Sequence, residues 1–551
     1  MFIWVEKPAK LCRGSCVKSK TIYPQKTNII IMKNNFLKQA FLMVFAGLLA
    51  FAPGVQAQKD KLNNQLSTLD AYYAKARADW EVPALAVAIV KDGQIVFEKG
   101  YGQRDINSGG IVDENTMFAV ASNTKAFTAA ALAILVDEGA IRWDDPVIDY
   151  LPWFRMYDPY VTAHMTIRDL LTHRSGLATF SGDLLWYGST YSRREVIERA
   201  RFLTPAYGFR ENFGYSNIMY VAAGEIVPAV TGKSWDDFIR EHFFEPLQMS
   251  RSITSVTQLD KFDNVATPHT DFNDNIIPIE YLNWDNVAAA GAIISSVHDM
   301  SQWLMLQLNR GIVDGDTIFS PTRSREMWSQ NTVQNVSAFS EKTWPTTFFK
   351  SYGLGWGLYN YLGHKIVSHS GGYDGMISFS CLVPDENLGF VILTNKNSSL
   401  YYPLIYQTLD IMLGGEDKDW SAFVLDRNKQ RKEAPAGDKD PTPAEKYANT
   451  TPTLPLTEYT GTYSGQLYGD ADVYLRNDTL MVHLVPSPQF LGTLRHLYFD
   501  TFEITFTNFP SLPKGTVQFV PDAQANIHEM KIDVPNPDFD FTELEFIKTK
   551  K

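Results

Sequence analysis

The sequence predicts an α+β fold followed by a smaller all-β domain. Apolar strand-like runs stand near both ends of the first 425 residues, at 85–90 with 94–97 and at 377–382 with 389–393. The region between them, roughly residues 121–310, is mostly helical in its pattern. Short strand-like segments separated by turns return after residue 455. We therefore expect an antiparallel sheet completed by both ends of the first domain and flanked by helices, then a small β-barrel or sandwich.

A chain of 551 residues is too long for one ordinary hydrophobic core, and four segments are expected. Residues 1–57 are predicted to be an N-terminal extension with a signal peptide, and 58–425 to form the first domain. Residues 426–454 are rich in Lys, Glu, Asp, Pro, Ala and Thr, which is typical of a linker. Residues 455–551 then form the β domain, with strands expected near 472–475, 479–482, 502–506 and 516–519.

The first strand pair carries the clearest local signal in the chain. Asp92-Gly93 separates two short apolar runs, and this dipeptide favours a tight β-hairpin. Before it, residues 62–80 have helical periodicity, and after the second strand pair residues 402–412 do as well. The strand pairs near the two ends of the first domain are therefore expected to form one sheet.

The targeting signal begins inside the printed sequence. Lys33 and Lys38 form a positive segment after Met32, residues 40–52 are apolar, and Val55-Gln56-Ala57 is a small-residue cleavage site. We take Met32 as the start of translation and expect an exported protein, periplasmic or secreted. The apolar run is short for a membrane span, but an uncleaved anchor remains the alternative.

Charge and cysteine content exclude several classes of function. Without residues 1–57, which hold eight Lys or Arg and one Glu, the net charge changes from −12 to −19. Such an acidic chain repels nucleic acid and anionic membrane surfaces. Cys381 is then the sole cysteine, so no intramolecular disulfide can form, and its apolar surroundings indicate a core thiol. The histidines lack metal-ligand spacing, so we expect neither a metal nor a cofactor.

Ser122-Asn123-Thr124-Lys125 stands where an apolar run, residues 117–121, meets an Ala- and Leu-rich helix, residues 126–138. Residues three apart share a helix face, so the Lys125 amine is expected beside the Ser122 hydroxyl. A helix N-terminus favours a developing anion. Because a serine hydroxyl needs a neighbouring base, and a desolvated Lys can serve as one, the motif predicts Ser122 as a nucleophile.

Two further motifs carry groups suited to the same chemistry. Tyr215-Ser216-Asn217 follows an aromatic, Gly-containing loop and precedes a helical run, so that the Tyr can relay a proton and the Asn amide can bind a substrate carbonyl. His369-Ser370-Gly371-Gly372 opens the second strand pair, where a Gly-rich edge strand lets a substrate backbone lie close. His173, by contrast, is interpreted as a structural histidine that bonds the backbone.

With these three motifs in this order and spacing, the chain resembles the penicillin-recognising serine hydrolases close to class C β-lactamases. That group includes D-aminopeptidases, D-Ala-D-Ala carboxypeptidases and family VIII esterases. The resemblance covers about residues 65–415 and extends to Val136-Asp137-Glu138-Gly139 and Tyr352-Gly353-Leu354-Gly355-Trp356-Gly357. It implies a class C β-lactamase-like fold for the first domain.

The resemblance also implies roles for individual residues. Lys125 and Tyr215 would share the general-base and general-acid work on Ser122. Substrate would be bound by Asn217, His369 and Gly371, and the backbone N–H groups of Ser122 and Gly372 would form the oxyanion hole.

His369 departs from class C β-lactamases, which place Lys there to help bind a substrate carboxylate. An unperturbed imidazole titrates near ~6.5 and is mostly uncharged at neutral pH. Aminopeptidases and several esterases of the family carry His at this place, so the resemblance shifts the expectation from a β-lactamase to a peptidase or esterase. The leading expectation is a peptidase or aminopeptidase that acts through an acyl-enzyme on small or D-residue-containing peptides. The alternatives are, in order, a carboxylesterase, a β-lactamase, and a non-catalytic penicillin-binding sensor or binding module.

Leu456-Thr457-Glu458-Tyr459-Thr460-Gly461-Thr462-Tyr463 is similar to the start of the lipocalin-like domain that some peptidases of this family carry. Two interpretations of the domain remain open. In one, the domain only stabilises the chain; in the other, it shapes the cleft or builds the interface of a homo-oligomer.

Overall fold

The computed structural model describes residues 56–433, 442–447, 449–509 and 512–549. The expected signal segment therefore lies almost entirely outside the described residues. Residues up to Ser67 form a unit of their own, whose described part is helical. The fold and the site described below belong to the second unit, Thr68–Lys551.

A nine-stranded antiparallel sheet organises the described residues between 68 and 433. In spatial order its strands are Thr332–Gln334, Lys350–Tyr352, Gly357–Tyr361, His364–Tyr373, Met376–Val383, Leu388–Thr394, Ala84–Lys91, Gln94–Asp105 and Gly109–Ile111. The first and last parts of the domain meet where Ala84–Lys91 pairs with Leu388–Thr394. This confirms the α+β expectation of a sheet completed by both ends.

The expected hairpin connects the neighbouring strands Ala84–Lys91 and Gln94–Asp105 of this sheet. Asp92 and Gly93 have φ values of 53° and 76°, the left-handed conformation that a two-residue turn between right-twisted strands requires. Leu388–Thr394, which pairs with the first strand of this hairpin, is buried at every residue. Its residues before Thr394 are all apolar because the sheet is covered on both faces there.

Helices fill the region between the two halves of the sheet. The α-helices of five or more residues in the described part of this domain, after the opening helix of residues 68–79, are Thr124–Asp137, Pro159–His164, Ile167–Leu171, Arg193–Arg199, Asn217–Thr231, Trp235–Ile239, Val297–Leu308, Pro321–Met327, Ala338–Thr343, Tyr401–Leu413 and Trp420–Glu433. Thr124–Asp137 is almost wholly buried. Its lack of an exposed polar face explains the continuous Ala and Leu composition.

The strand His364–Tyr373 is an interior strand, not the edge strand expected from its glycines. Its pairing with Gly357–Tyr361 nevertheless ends at Ser368, while its pairing with Met376–Val383 continues to Tyr373. The half that carries the motif is thus paired on one side only. The expectation of an edge strand was therefore wrong for the strand as a whole. Short strands lie next to it in the sheet, and local sequence patterns do not predict this pairing.

The C-terminal region forms a closed barrel of eight antiparallel strands within the described residues 449–509 and 512–549. The strands are Gly461–Gly465, Gly469–Arg476, Thr479–Leu484, Leu491–Tyr498, Thr501–Phe506, Gly515–Pro521, Ile527–Asp533 and Phe546–Lys548. Pairing of Tyr463 with Lys548 closes the barrel. Of the two expected architectures, barrel and sandwich, the barrel is the one observed.

The segment between the two domains is partly helical. Trp420–Glu433 continues eight residues past the expected start of the linker at residue 426. Its Lys, Arg and Glu are strong helix formers, so a polar composition did not distinguish a linker from an exposed helix. A second short helix, Pro443–Lys446, lies before the barrel. None of the described helices is long and apolar enough to cross a membrane.

Candidate active site

Ser122 lies in a short 3₁₀ turn, Ala121–Asn123, which runs directly into the Thr124–Asp137 helix. Ala121 has a φ of 46°, a left-handed conformation that residues other than glycine rarely adopt. Backbone strain of this kind is held only where the surrounding packing determines the geometry, and Ala121 is completely buried. The turn presents Ser122 at the helix N-terminus, as the motif predicted.

Gly371 allows the neighbouring strand to approach this turn. A Cβ atom on Gly371 would lie 2.3 Å from the Val120 carbonyl oxygen and 3.0 Å from the Ser122 backbone nitrogen. The Ser378 hydroxyl, on the next strand, donates to the same Val120 oxygen at 2.6 Å. Any larger residue at position 371 would push the strand away from Ser122. Gly371 therefore has a packing function in addition to lining the cavity.

Lys125 contacts three groups through its side-chain nitrogen. Nζ lies 3.1 Å from Ser122 Oγ, 2.7 Å from Asn217 Oδ1 and 2.9 Å from the Ala290 carbonyl oxygen. The two carbonyl oxygens only accept, so they fix two N–H bonds of the amine. The third position faces Ser122. In the neutral amine this position is the lone pair, which can accept the serine proton.

The environment of Lys125 favours the neutral amine. The side chain is completely buried. Burial lowers the pKa of Lys125 to about 7, while the Asp183 carboxylate acts in the opposite direction. A base with a pKa near the working pH has both protonation states available.

Tyr215 lies on the other side of Ser122, with its hydroxyl in hydrogen-bonding contact with the serine side chain. Lys125 Nζ is 4.8 Å from the centre of the Tyr215 ring. Burial raises the pKa of Tyr215, so the phenol keeps its proton near neutral pH. Tyr215 is thus a hydroxyl that can pass a proton on, whereas Lys125 is the group able to take one.

His173 packs under Tyr215, with ring centres 4.2 Å apart. Its Nδ1 accepts a hydrogen bond of 3.0 Å from the backbone nitrogen of Ser216. Burial holds the pKa of His173 well below its ordinary value. A neutral histidine bonded to the backbone is what the sequence interpretation proposed.

Asn217 connects Lys125 to an acid that the sequence did not reveal. Its Oδ1 accepts from Lys125 and its Nδ2 donates to Asp183 Oδ2 at 2.6 Å. Asp183 also accepts from Trp186 Nε1 at 2.9 Å. Burial raises the pKa of Asp183 to about 7. Asn217 thus orients the lysine as well as lining the cavity. The one available signal for Asp183 was an acid beside an otherwise apolar run, residues 184–187.

The barrel holds the loop that carries Asp183. Glu543, in the 3₁₀ turn Phe541–Glu543, accepts from the Gly182 backbone nitrogen at 2.7 Å and from the Ser181 hydroxyl. Gly182 has a φ of 76°, which favours glycine. Glu543, which is 361 positions away from Gly182 in the sequence, therefore fixes the loop that carries Asp183.

His369 does not have the pKa expected of an unperturbed imidazole. Nδ1 lies 2.6 Å from the Ser370 carbonyl oxygen and must donate to it, so Nε2 accepts from the Tyr352 hydroxyl at 2.8 Å. Burial, with the nearby Lys125, lowers the pKa of His369 to about 3. The expected titration near 6.5 is therefore wrong. The ring is neutral throughout the physiological range, and both of its nitrogens are bonded to the protein.

A cavity of about 760 Å³ opens onto Ser122. The expected residues in its wall are Ser122, Tyr215, Asn217, His369, Gly371 and Gly372. Three acids and several aromatic residues also line the cavity: Asp183, Asp374, Asp538, Phe180, Trp186, Tyr187, Trp284, Tyr373 and, last in the chain, Phe539. Asp538 and Phe539 follow the barrel strand Ile527–Asp533, so the C-terminal domain contributes directly to the cavity wall.

Gly372 lies in the half of its strand that is paired on one side only, opposite Ile377, and is exposed to the cavity. Its location is compatible with a backbone donor at the oxyanion position. That role for the Ser122 and Gly372 N–H groups remains a prediction. In the described part of the chain, His, Cys, Asp and Glu form no group of three that could hold a metal ion.

Two family models match the chain. The Beta-lactamase family model matches residues 69–405, and a domain of unknown function (DUF3471) matches residues 445–548. Among curated proteins, the chain is 30% identical over 413 residues to "Unguisins hydrolase ungD'" of Aspergillus campestris. That match covers 70% of this chain and 73% of the fungal protein.

Solved structures share the fold at lower sequence identity. An octameric penicillin-binding protein homologue from Pyrococcus abyssi matches with a TM-score of 0.59 and 22% identity, covering 88% of this chain and all of that chain. The D-amino acid amidase from Ochrobactrum anthropi matches with a TM-score of 0.52 and 21% identity, covering 64% and 99%. The two solved structures share the fold of this chain, and the family match over more than half of the chain, with the 30% identity to the fungal hydrolase, identifies the chain as a member of the Beta-lactamase family.

Proposed function

We propose that this protein is a serine hydrolase that cleaves amide bonds of small or D-residue-containing peptides through an acyl-enzyme on Ser122. The observation that carries the proposal is the position of Lys125 Nζ, 3.1 Å from Ser122 Oγ and bonded to two carbonyl oxygens. This arrangement supplies the base that a serine nucleophile requires.

In the acylation step, neutral Lys125 takes the Ser122 proton while Oγ forms a bond to the substrate carbonyl carbon. The carbonyl oxygen becomes an oxyanion, for which the Ser122 and Gly372 backbone N–H groups are the candidate donors. When this intermediate collapses, the carbon–nitrogen bond breaks. The Tyr215 hydroxyl donates its proton to the leaving amine and regains one from Lys125.

In the deacylation step, water replaces the amine. Water gives a proton to Lys125, directly or through the Tyr215 hydroxyl, as its oxygen bonds to the acyl carbon. The ester bond to Ser122 then breaks, the acid product leaves, and the proton returns to Ser122 Oγ. Every proton is returned, so the cycle needs no cofactor.

The name of one solved structure, a D-amino acid amidase, supports an amide substrate. The name of a curated relative, an unguisins hydrolase, supports hydrolysis. The neutral, fully bonded His369 supplies no cation for a substrate carboxylate, which argues against a β-lactam substrate. A carboxylesterase would use the same catalytic groups and is the second candidate. A non-catalytic penicillin-binding module is the third.

Hydrolysis assays distinguish these candidates. We expect kcat/KM for D-alanine p-nitroanilide to exceed the values for an aryl acetate and a chromogenic cephalosporin, each compared with its own uncatalysed rate. The Ser122→Ala protein is the matched control for every substrate. Preference for the aryl acetate would make the protein an esterase, and preference for the cephalosporin a β-lactamase. No turnover of any of them with wild type would favour the non-catalytic alternative.

We further propose that the protein is exported to the periplasm or secreted after cleavage following Ala57, with the domain boundaries given above. The octameric state of the Pyrococcus abyssi homologue supports a homo-oligomer. Sequencing the N-terminus of protein recovered from the expressing cells tests the cleavage site. Light scattering during gel filtration tests the oligomer, and a monomer mass at micromolar concentration would contradict it.

A further inference from the structure

We propose that the cavity that opens onto Ser122 has a subsite for an ammonium group of the substrate, held by Asp374 and Asp538 beside aromatic rings. The inference rests on the proposed function, because it takes the Ser122 end of the same cavity as the place of bond cleavage. It adds the chemical class of the group that the substrate must carry.

Asp374 provides the buried part of this subsite. It follows directly on the strand His364–Tyr373 and lines the cavity. Its Oδ1 accepts from the Tyr187 hydroxyl at 2.8 Å, but its Oδ2 is buried and has no hydrogen-bond partner from another residue of the described structure. A buried carboxylate oxygen without a donor destabilises the fold unless a bound group completes it. The open position indicates that a donor comes from the ligand.

Asp538 places a second carboxyl group on the same cavity from the barrel side. It remains exposed to solvent there. Burial raises the pKa of Asp374 to about 6, and repulsion from Asp538 acts in the same direction. Neither acid forms an ion pair with a Lys or Arg of the described residues. The subsite therefore concentrates negative charge with no cation from the protein, and a ligand cation would relieve both the repulsion and the missing donor.

Aromatic rings line the same cavity as the two acids. Tyr187 and Phe539 have ring centres 4.2 Å apart, and Trp284 and Tyr373 have theirs 4.4 Å apart. Trp186 packs edge-on against Trp284 at 5.0 Å. Aromatic faces attract ammonium groups, most strongly where water is displaced. The same surroundings would exclude an anionic substituent, so this part of the cavity selects an amine over a carboxylate.

The ammonium group can come from the N-terminus of a peptide or from a basic side chain, since the two share the same chemistry. An N-terminal α-ammonium would make the enzyme an aminopeptidase, with the first residue of the peptide as the acyl group. Calorimetric titration of the full-length Ser122→Ala protein separates these sources without requiring turnover. The ligands are D-alanine p-nitroanilide, its N-acetyl derivative, and N-α-acetyl-D-lysine p-nitroanilide.

We expect D-alanine p-nitroanilide to bind about ten-fold or more tightly than its N-acetyl derivative at pH 7.5, as for a hydrogen bond to a charged group. In the Ser122→Ala background, a further Asp374→Asn or Asp538→Asn substitution should reduce this ratio of binding affinities toward one. Asp522→Asn, which changes an exposed barrel carboxylate outside the cavity, should leave it unchanged. Tight binding of the acetylated lysine compound instead would assign the subsite to a side-chain ammonium.

An N-acetyl compound that binds as well as the free amine would overturn the inference, as would a ratio that survives both Asn substitutions. Failure of all three ligands to bind would overturn it too. Thermal melting of each variant identifies a folding defect, and the exposed Asp538 gives a readout that does not depend on burial. Fluorophosphonate labelling of wild type is measured in parallel. If Ser122 is labelled but the free amine is not preferred, the subsite is rejected and the proposed function stands. If wild type is not labelled, the proposed function is rejected, and the ratio of binding affinities alone tests the subsite.

Discussion

Nζ of Lys125 lies 2.7 Å from Oδ1 of Asn217, and this hydrogen bond aims the lysine at the nucleophile. Burial lowers the pKa of Lys125 to about 7. The neutral amine is the active form, because only it can take the serine proton. Activity should therefore be present above this pKa and be lost as the pH falls through it.

We predict that kcat/KM for a non-titrating substrate such as an aryl acetate rises with pH and levels off, with a midpoint near 7. The measurement covers pH 5.5 to 8.5. His369→Gln should keep the midpoint, whatever it does to the plateau, because His369 is already neutral in this range, with a pKa of about 3. A rate that is flat or falls with pH would contradict the assignment of Lys125 as the base.

Asp183 should set the position of that midpoint. Its carboxylate raises the pKa of Lys125 against the larger effect of burial. Asp183→Asn removes the charge but keeps an amide oxygen that can accept from Asn217. We predict that the acidic limb of the kcat/KM profile shifts to lower pH in this variant. Asp237→Asn, at an exposed site, is the control. An unchanged limb, or one shifted to higher pH, would remove Asp183 from the proton network.

Lys125 and Tyr215 flank one hydroxyl group, and their contributions should not be independent. We predict that Lys125→Ala and Tyr215→Phe each lower kcat by about 10²- to 10⁴-fold, the usual range for general acid–base groups. The double variant should lose much less than the product of the single losses, because groups on one proton path act as a unit. Losses that multiply would mean that the two residues act in separate steps.

Glu543 should link the barrel to the catalytic centre. In Glu543→Ala, the buried Gly182 nitrogen and Ser181 hydroxyl lose their acceptor, which typically costs about 1 to 3 kcal/mol in the free energy of unfolding. We expect kcat to fall as well, because the loop positions Asp183. Urea unfolding and steady-state kinetics measure both effects. Glu545→Ala, two residues on and exposed, is the matched control. Equal behaviour of the two variants would show that the barrel does not support the site.

Local patterns were sufficient for much of this structure. The turn at Asp92-Gly93, the Ser122 to Lys125 spacing and the helix after Tyr215 all follow from interactions within a few residues. The short strand-like segments separated by turns predicted an all-β C-terminal domain, but they could not distinguish a barrel from a sandwich, since closure depends on pairing Tyr463 with Lys548.

The parts that sequence did not predict depend on contacts between distant segments. Asp183 is linked to Lys125 by hydrogen bonds through Asn217, and Glu543 holds the loop of Asp183 from the other domain. The pKa of His369 is set by burial, which no local pattern contains. The helix Trp420–Glu433 was not predicted for a different reason: its polar composition fits both a linker and an exposed helix.

The central claim is that Ser122 is the nucleophile, and the location of a covalent adduct tests it most directly. Full-length protein is treated with a fluorophosphonate, digested, and analysed by mass spectrometry, with Ser122→Ala in parallel. The account predicts one adduct, on the peptide that contains Ser122, and no adduct on a folded Ser122→Ala protein. An adduct on another residue, or labelling that persists at the same rate in Ser122→Ala, would contradict the account.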